Sequence, residues 1–186
     1  MTIRTSGIDH VHFDVADLPR FLELMQRLFG SETTPIAHLD PFGFYNACVY
    51  PDAADGARAF LDVFQPARAS SPVARHLRER GPGVSFVAFR VDDLQAAAEH
   101  AARCGLREVS RSGYRGLRQV QYDTWQELGS QLELVAYDPS YEADLEDVKQ
   151  RLRAGETVDG LRCGDADPPA WSGAEPERDP KDGERT

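Results

Sequence analysis

Apolar and polar positions follow the same order of predicted elements in two successive segments of this 186-residue chain. In the first segment, alternation over residues 8–15 predicts a strand, and apolar residues at helical spacing over 17–29 predict a helix that ends at Gly30. Three more strands are predicted near residues 33–38, 43–50 and 58–65. This half therefore has the order β-α-β-β-β.

The second segment repeats that order. A strand is predicted over residues 84–91 and a helix over 93–104. The strands that follow are predicted near residues 106–110, 117–123 and 130–137, with Gly113 and Gly129 in the turns. A duplicated unit of this kind predicts a fold of two similar halves.

The openings of the two segments align residue by residue. Ile8–Leu18 matches Val84–Leu94, with Val, Phe, Val, Asp and Leu shared at equivalent places. We expect an α+β fold in which two βαβββ modules form a curved mixed sheet around a concave pocket. Eight strands would form this sheet, and the helices would pack outside it.

The module boundaries follow from these elements and from composition. We predict a first module over residues 7–66, a connector over 67–83 that contains a helix at 71–80, and a second module over 84–138. An amphipathic helix is predicted over 139–153. Residues 154–186 are rich in Gly, Pro and acidic side chains, which predicts a disordered or extended tail tethered by Trp171.

Charge and composition exclude several classes of partner. The formal net charge of −10 disfavours binding to nucleic acid or to anionic membranes. No apolar run approaches the roughly 18 residues of a membrane span, and no secretory signal opens the chain. The three cysteines, Cys48, Cys104 and Cys163, are far apart, which favours a reducing, cytoplasmic compartment.

The positions of the lysines argue against Schiff-base catalysis. The only lysines are Lys149 and Lys181, and both lie after the second module. Schiff-base catalysis within the repeats is therefore not expected.

Strand parity makes two histidines the leading candidates for chemistry. Because alternate residues of a strand share a face, His10 and His12 point to one side while Val11 and Phe13 point to the other. Neighbours on one face lie only about 7 Å apart, so both imidazoles can reach one metal ion. The equivalent positions in the second module hold Phe86 and Ala88.

Two carboxylates occupy equivalent places in the last strands of the modules. Asp62 and Glu133 both lie between apolar neighbours. A carboxylate in that setting needs a cation or hydrogen-bond donors.

The chain resembles the vicinal oxygen chelate superfamily, which includes glyoxalase I, bleomycin-resistance proteins and extradiol dioxygenases. Within it, the nearest likeness is to methylmalonyl-CoA epimerases. The segments that carry the likeness are Leu61–Pro66, Ser71–Leu77 and Gly83–Leu94. The resemblance covers roughly residues 7–138 and implies the paired-module fold, a small-molecule substrate and a homodimer.

The resemblance also implies a metal site with one ligand from the first and the last strand of each module. By position these are His10, Asp62, Phe86 and Glu133. Phe86 cannot bind a metal, whereas the epimerases have histidine there. Asn46 stands where the epimerases have a second carboxylate that acts as a base. Methylmalonyl-CoA epimerase activity is therefore not assigned.

His12 can complete the site. We predict a divalent metal (Zn, Fe, Mn, Co or Ni) bound by His10, His12, Asp62 and Glu133. The expected chemistry is isomerisation, epimerisation or lyase chemistry on a small oxygen-rich substrate through an enolate-like intermediate, with Glu133 as the catalytic proton carrier. The predicted substrate-binding residues are Phe86, Asn46, Cys48 and Arg90.

Two alternatives stay open. The protein can be a metal-free module that sequesters a small planar molecule, and the loss of histidine at Phe86 favours this reading. It can also be a metal-free enzyme that uses Glu133 or His12 as acid or base. The remaining histidines, His38, His76 and His100, are expected at the surface.

Overall fold

The fold is known from a computed structural model that describes residues 2–51, 59–159, 161–163, 168 and 170–173. In the first half a strand, a helix and four further strands follow one another: β1 (Thr5–Asp14), α1 (Leu18–Phe29), β2 (Glu32–Thr33), β3 (Ala37–Leu39), β4 (Phe44–Tyr50) and β5 (Phe60–Pro66). The connecting helix is α2 (Pro72–Arg80).

The second half and the C-terminal segment complete the chain. The second half comprises β6 (Gly83–Val91), α3 (Leu94–Arg103), β7 (Arg107–Tyr114), β8 (Leu117–Asp123), α4 (Trp125–Leu128) and β9 (Gln131–Tyr137). The C-terminal segment comprises α5 (Tyr141–Arg153), β10 (Thr157–Val158) and β11 (Leu161–Cys163).

All of these strands belong to one curved, open mixed sheet. Its order is β10-β11-β3-β4-β5-β1-β6-β9-β8-β7, and β2 pairs with β4. Each half has one parallel pair, β1 with β5 and β6 with β9. The antiparallel pairing of β1 with β6 joins the halves, so the first strands of the two repeats lie side by side at the centre.

Helices α1 and α3 pack against the outer face of the sheet. Both start at an aspartate, Asp17 or Asp93, whose side chain accepts a hydrogen bond from a backbone amide of the first turn. Helix α1 ends at Gly30, where φ is +64° and glycine is favoured. Apolar side chains of the alternate strand positions form one cluster under each helix.

The C-terminal helix α5 lies on the other side of the sheet. Its buried residues Val148 and Leu152 pack on Ala37 and Leu39 of β3 and on Tyr114 of β7. Each of these sheet residues shares the inner face with the histidines of β1, by the register of the strands between them. Helix α5 therefore crosses the concave side from one half to the other.

The main elements of the sequence prediction are confirmed, including the α+β class and the mixed sheet. The sheet has eleven strands rather than eight, because the segment predicted near 33–38 divides into β2 and β3, and because β10 and β11 were not foreseen. Strand β7 continues to Tyr114, so the turn lies at Arg115 and Gly116 and not at Gly113. Helix α4 was missed.

The expectation of a disordered tail is wrong for its first part. Strand β11 pairs with β3 and extends the sheet. Backbone hydrogen bonding explains the difference, since β3 would otherwise leave an unpaired edge. Farther along, the amide of Trp171 donates to the carbonyl of Ala16 at 2.7 Å, in agreement with the predicted tether. The rest of the predicted tail, and residue 58 of the predicted fourth strand, lie outside the described residues.

The packing of α5 predicts a clear difference between two leucines. We expect Leu152→Ala to lower the free energy of unfolding by about 2–5 kcal/mol, because it leaves a cavity under a buried side chain. Leu28→Ala on α1 is the matched control, since Leu28 is 60% exposed. Urea denaturation of both variants measures this, and equal stabilities would show that α5 is not packed as described.

Candidate metal centre

Two rows of side chains cross the inner face of the sheet at its centre. In the first row, strand pairing aligns Phe60, His10, Ala88, Glu133 and Gln121 across β5, β1, β6, β9 and β8. This row brings one predicted ligand from each half of the chain to the same level of the sheet.

The second row lies next to the first. It aligns Cys48, Asp62, His12, Phe86 and Gln131 across β4, β5, β1, β6 and β9. The parity prediction is thus confirmed: His10 and His12 share the inner face, and they occupy adjacent rows.

Three side chains converge between these rows. The two Nε2 atoms of His10 and His12 are 2.8 Å apart. Nε2 of His10 lies 3.4 Å from Oε1 of Glu133, and Nε2 of His12 lies 3.8 Å from Oε2. Two imidazoles and one carboxylate therefore surround a common point.

The small side chain of Ala88 allows this convergence. Ala88 lies between His10 and Glu133 in the strand register and is fully buried. Because its methyl group is short, the two longer side chains can meet over it. A histidine or phenylalanine in the same place would separate them.

Glu133 is buried without full compensation of its charge. Its side chain has no exposed surface, and Oε2 accepts a hydrogen bond from Nε2 of Gln121 at 2.8 Å. Oε1 makes no hydrogen bond to a described residue, and its nearest cationic neighbour is His10, whose Nε2 lies 3.4 Å away. Burial raises the pKa of Glu133, but the neighbouring His10 and His12 outweigh this effect and the pKa is lowered. A buried, ionised carboxylate with an oxygen that makes no hydrogen bond is suited to bind a metal cation.

His10 is fixed from its other side by an aspartate. Nδ1 of His10 lies 2.8 Å from Oδ1 of Asp9, and the same oxygen accepts a hydrogen bond from the Tyr137 hydroxyl at 2.6 Å. Burial lowers the pKa of His10, but the carboxylates of Asp9 and Glu133 outweigh it and raise the pKa to about 10. A carboxylate behind a histidine is a common way to orient a metal ligand.

His12 behaves differently because it is buried without such a partner. Burial lowers the pKa of His12. The neutral imidazole of His12 can accept a hydrogen bond from the Nε2–H of protonated His10, which accounts for the 2.8 Å contact between their nitrogens.

The three converging groups fit a divalent metal. One ligand atom from each of His10, His12 and Glu133 lies within 4.8 Å of the others. Imidazole and carboxylate together suit Zn, Fe, Mn, Co and Ni. A bound cation would also satisfy the unpartnered oxygen of Glu133.

Asp62, the fourth predicted ligand, is held on the first half of the sheet. Its Oδ1 accepts a hydrogen bond from Nδ2 of Asn46 at 2.6 Å and lies 3.6 Å from Sγ of Cys48. It lies opposite His12 in the strand register. The structure therefore unites Asp62, Asn46 and Cys48 beside the three-residue cluster and not within it.

Aromatic rings line the cluster. His10 stacks on Phe60 with ring centroids 4.8 Å apart, and His12 stacks on Phe64 at 5.1 Å. Phe86 contacts His12 at 5.1 Å, as expected of a pocket wall. The guanidinium carbon of Arg90 lies 4.9 Å from the Tyr137 ring centroid, close to Asp9. These rings limit the access of water to the cluster.

Several residues of the site were missed from the sequence. Asp9, Tyr137 and Gln121 orient the cluster, and the strand register is the only signal that would have found them. His76 is also not at the surface as expected: its side chain is 10% exposed, and its Nδ1 lies 3.7 Å from the buried Asp14. His38, 12% exposed, is another correction. Each is covered by neighbouring rings, Trp125 over His76 and Tyr45 over His38.

Comparison with known proteins places the chain in a family. Residues 9–123 match the sequence profile of the Glyoxalase/Bleomycin resistance protein/Dioxygenase superfamily. The chain therefore belongs to that superfamily, as the resemblance implied. No curated protein sequence is significantly similar to the chain.

The fold of the chain is also similar to that of several solved structures. The methylmalonyl-CoA epimerase from Mycobacterium tuberculosis is 29% identical with a TM-score of 0.65, over 77% of this chain and 95% of that one. A variant of the Streptomyces coelicolor methylmalonyl-CoA epimerase in complex with 2-nitronate-propionyl-CoA is 26% identical with a TM-score of 0.62, over 72% and 99%. A hypothetical protein from Bacillus halodurans shares the fold at 16% identity and a TM-score of 0.62, over 70% and 94%.

The position of Ala88 generates a prediction about the cluster. We expect Ala88→Leu to lower the free energy of unfolding by about 1–3 kcal/mol, because the added atoms must displace His10 or Glu133. Ala96→Leu on the exposed side of α3 is the control and should change it by less than about 0.5 kcal/mol. Chemical denaturation measures both, and unchanged stability of Ala88→Leu would contradict the packing described.

Proposed function

We propose that this protein is a metal-assisted enzyme of the vicinal oxygen chelate type, an isomerase or epimerase or a related lyase, that acts on a small oxygen-rich substrate. The observation that carries the proposal is the buried convergence of His10, His12 and Glu133 around an unpartnered carboxylate oxygen. Family membership and the epimerase structures at 29% and 26% identity support an isomerase-type reaction.

The residues that would hold the metal are those of the cluster. His10 and His12 offer Nε2, and Glu133 offers its carboxylate. When bound, a divalent metal supplies Lewis acidity, which polarises a substrate carbonyl and makes the adjacent C–H bond more acidic. Asp9 and Tyr137 hold the His10 ring in position from behind.

Asp62 is the group that we assign to proton transfer. The sequence prediction gave this role to Glu133, but Glu133 is fully buried and turned toward the two histidines. Asp62 is half-buried on the same face, and only its Oδ1 has a hydrogen bond to a described residue. Its Oδ2 can take a proton from the carbon next to a carbonyl and return it to the same carbon or to a neighbouring one.

Asn46, Cys48 and Phe86, which were predicted to bind substrate, lie close to Asp62 or His12. Asn46 fixes the carboxylate of Asp62 through a 2.6 Å hydrogen bond. Burial first, and then the charge of Asp62, raises the pKa of Cys48 well above its usual value, so this thiol stays protonated and is not a nucleophile. Phe86 and Phe64 cover His12 and limit water near the reacting carbon.

This assignment differs from the neighbouring epimerases at two places. Phe86 occupies the position of a ligand histidine, and Asn46 that of a base. With one carboxylate in place of two, Asp62 would deliver the proton from one side of the substrate. This favours isomerisation or elimination over inversion at a single carbon.

Metal binding is the first test. We expect Zn²⁺, Mn²⁺ or Co²⁺ to stabilise the protein, by about 2.7 kcal/mol at a free concentration one hundred times Kd, and a chelator to reverse the effect. His10→Ala and Glu133→Gln should abolish the stabilisation. His100→Ala, on α3, is the control and should keep it.

Thermal denaturation with and without each ion measures this effect. If no ion raises the melting temperature of the wild-type protein, the metal-assisted mechanism is wrong. If His12→Ala binds the ions as tightly as the wild type, the role of His12 as a ligand fails, while His10 and Glu133 remain.

Proton exchange is the second test. With the metal bound, we expect the protein to exchange the C–H next to the carbonyl of small 2-hydroxy or 2-oxo compounds in D₂O. Asp62→Asn should slow this exchange by about 10²-fold or more and retain the metal. Asp92→Asn, an exposed control, should exchange at the wild-type rate. NMR follows the exchange, and full activity of Asp62→Asn would refute the assignment.

A second candidate is a metal-free binding protein that sequesters a small planar molecule. The side chains of His10 and His12 are only 6% and 10% exposed, and Phe86 offers a stacking surface. Recovery of a ligand unchanged, with no proton exchange for any compound, would favour this alternative. A homodimer and a cytoplasmic location remain predictions; no helix among the described residues is long and apolar enough to cross a membrane.

A further inference from the structure

The C-terminal helix forms a roof over the cluster. Helix α5 begins beside β9, where Tyr141 contacts the ring of Tyr137 at 4.4 Å, and its last turns pack on β3 at the opposite side of the concave face. The segment follows both repeats, so the paired-module fold does not require it.

This roof is anchored at both sides. Arg115, after β7, pairs with Asp147 of α5 at 3.6 Å and with Asp159 at 2.6 Å. On the first half, β11 adds to the sheet beside β3. Because α5 is held at both edges of the sheet, little space remains between the helix and the inner face. The near-complete burial of His10 and His12 agrees with this.

The roof carries a cation toward the inner face. Nζ of Lys149 lies 5.3 Å from the ring centroid of Tyr50, and Tyr50 contacts Phe60, which stacks on His10. Lys149 is half-buried, and no carboxylate of a described residue lies within ion-pair distance of it. It is the only lysine in the part of the chain that the structure describes.

A second cation lies on the other half. Arg90 is half-buried on the inner face, lies over Tyr137, and has no described carboxylate within 4.0 Å. Tyr137 in turn donates to Asp9, which holds His10. Lys149 and Arg90 therefore flank the cluster from its two sides, each separated from His10 by aromatic rings or a hydrogen-bonded tyrosine.

We propose that α5 makes this site selective for small carboxylate substrates, with Lys149 as the anion contact, and excludes acyl-CoA thioesters. The inference rests on the proposed function for the position of the reacting end at His10, His12 and Asp62. Half-buried cations without carboxylate partners are suited to bind an anionic substrate group, because a charge-assisted hydrogen bond to them replaces water rather than an existing ion pair.

Charge elsewhere in the pocket supports the direction of binding. Three carboxylates, Asp9, Asp62 and Glu133, outnumber the one protonated histidine, His10, at the centre of the sheet, so a substrate carboxylate is favoured at Lys149 or at Arg90 rather than at the centre. Burial first, and the charge of Asp62 as well, raises the pKa of Tyr141, which keeps its hydroxyl a hydrogen-bond donor.

The contacts of α5 with the sheet also limit the size of the substrate. A thioester of coenzyme A carries a long arm that must leave the pocket, and α5 covers the concave side from β9 to β3. A molecule of a few carbons needs no such exit. One of the epimerase neighbours, by contrast, is in complex with 2-nitronate-propionyl-CoA, and its alignment covers 99% of that chain but only 72% of this one.

Calorimetry on the full-length protein tests the proposal, both with saturating Zn²⁺ and after chelation. The ligands are methylmalonate, pyruvate, glycolate and methylmalonyl-CoA. We expect at least one of the three small carboxylates to bind, and Lys149→Met to weaken that binding by about tenfold or more. Lys149→Arg should stay within about threefold. Arg153→Met, an exposed change on the same helix, should have no effect.

Three results would overturn the proposal: no binding of any small carboxylate, equal affinity in Lys149→Met, or binding or epimerisation of methylmalonyl-CoA by the wild-type protein. Failure of the proposed function gives a different pattern. In that case Zn²⁺ does not bind, while Lys149-dependent binding of a carboxylate persists in the chelated protein.

Discussion

The contact that the rest of the site depends on is the one among His10, His12 and Glu133. It brings two imidazoles and a carboxylate together in an almost water-free interior, where an ionised carboxylate is costly unless a cation stands beside it. In the metal-free protein a proton on His10 can meet part of that need. Oε1 of Glu133 lies 3.4 Å from His10 but makes no hydrogen bond, and a divalent ion would satisfy it.

The sheet topology makes this contact possible. Because β1 and β6 pair antiparallel and each has its parallel partner on the far side, residues from the two repeats lie in common rows across the inner face. The repeats have then diverged within those rows. Ala88, whose equivalent in the first repeat is His12, leaves space where Glu133 meets His10, and the Phe86 ring contacts His12 in a tilted arrangement. The two differences between the repeats, at Ala88 and at Phe86, therefore both bear on the same pair of histidines.

Much of this was predictable from alternation alone. Strand parity placed His10 and His12 on one face, and the repeat aligned Asp62 with Glu133. What parity could not give is the direction of a side chain within its row: Asn46 draws Asp62 toward β4, which no sequence pattern signals. Helix α5 was predicted, whereas strand β11 after it was missed for another reason. The composition after Ala154 predicts disorder, yet an edge strand with open backbone groups selects β11 as its partner.

The central claim is that His10, His12 and Glu133 bind one metal ion. X-ray absorption spectroscopy of the Zn²⁺-loaded protein tests it most directly. The account predicts a first shell of nitrogen and oxygen at about 2.0–2.2 Å with the scattering pattern of two imidazoles. A sulfur neighbour at about 2.3 Å, which would come from a cysteine such as Cys48, or a shell with no imidazole scattering, would contradict it.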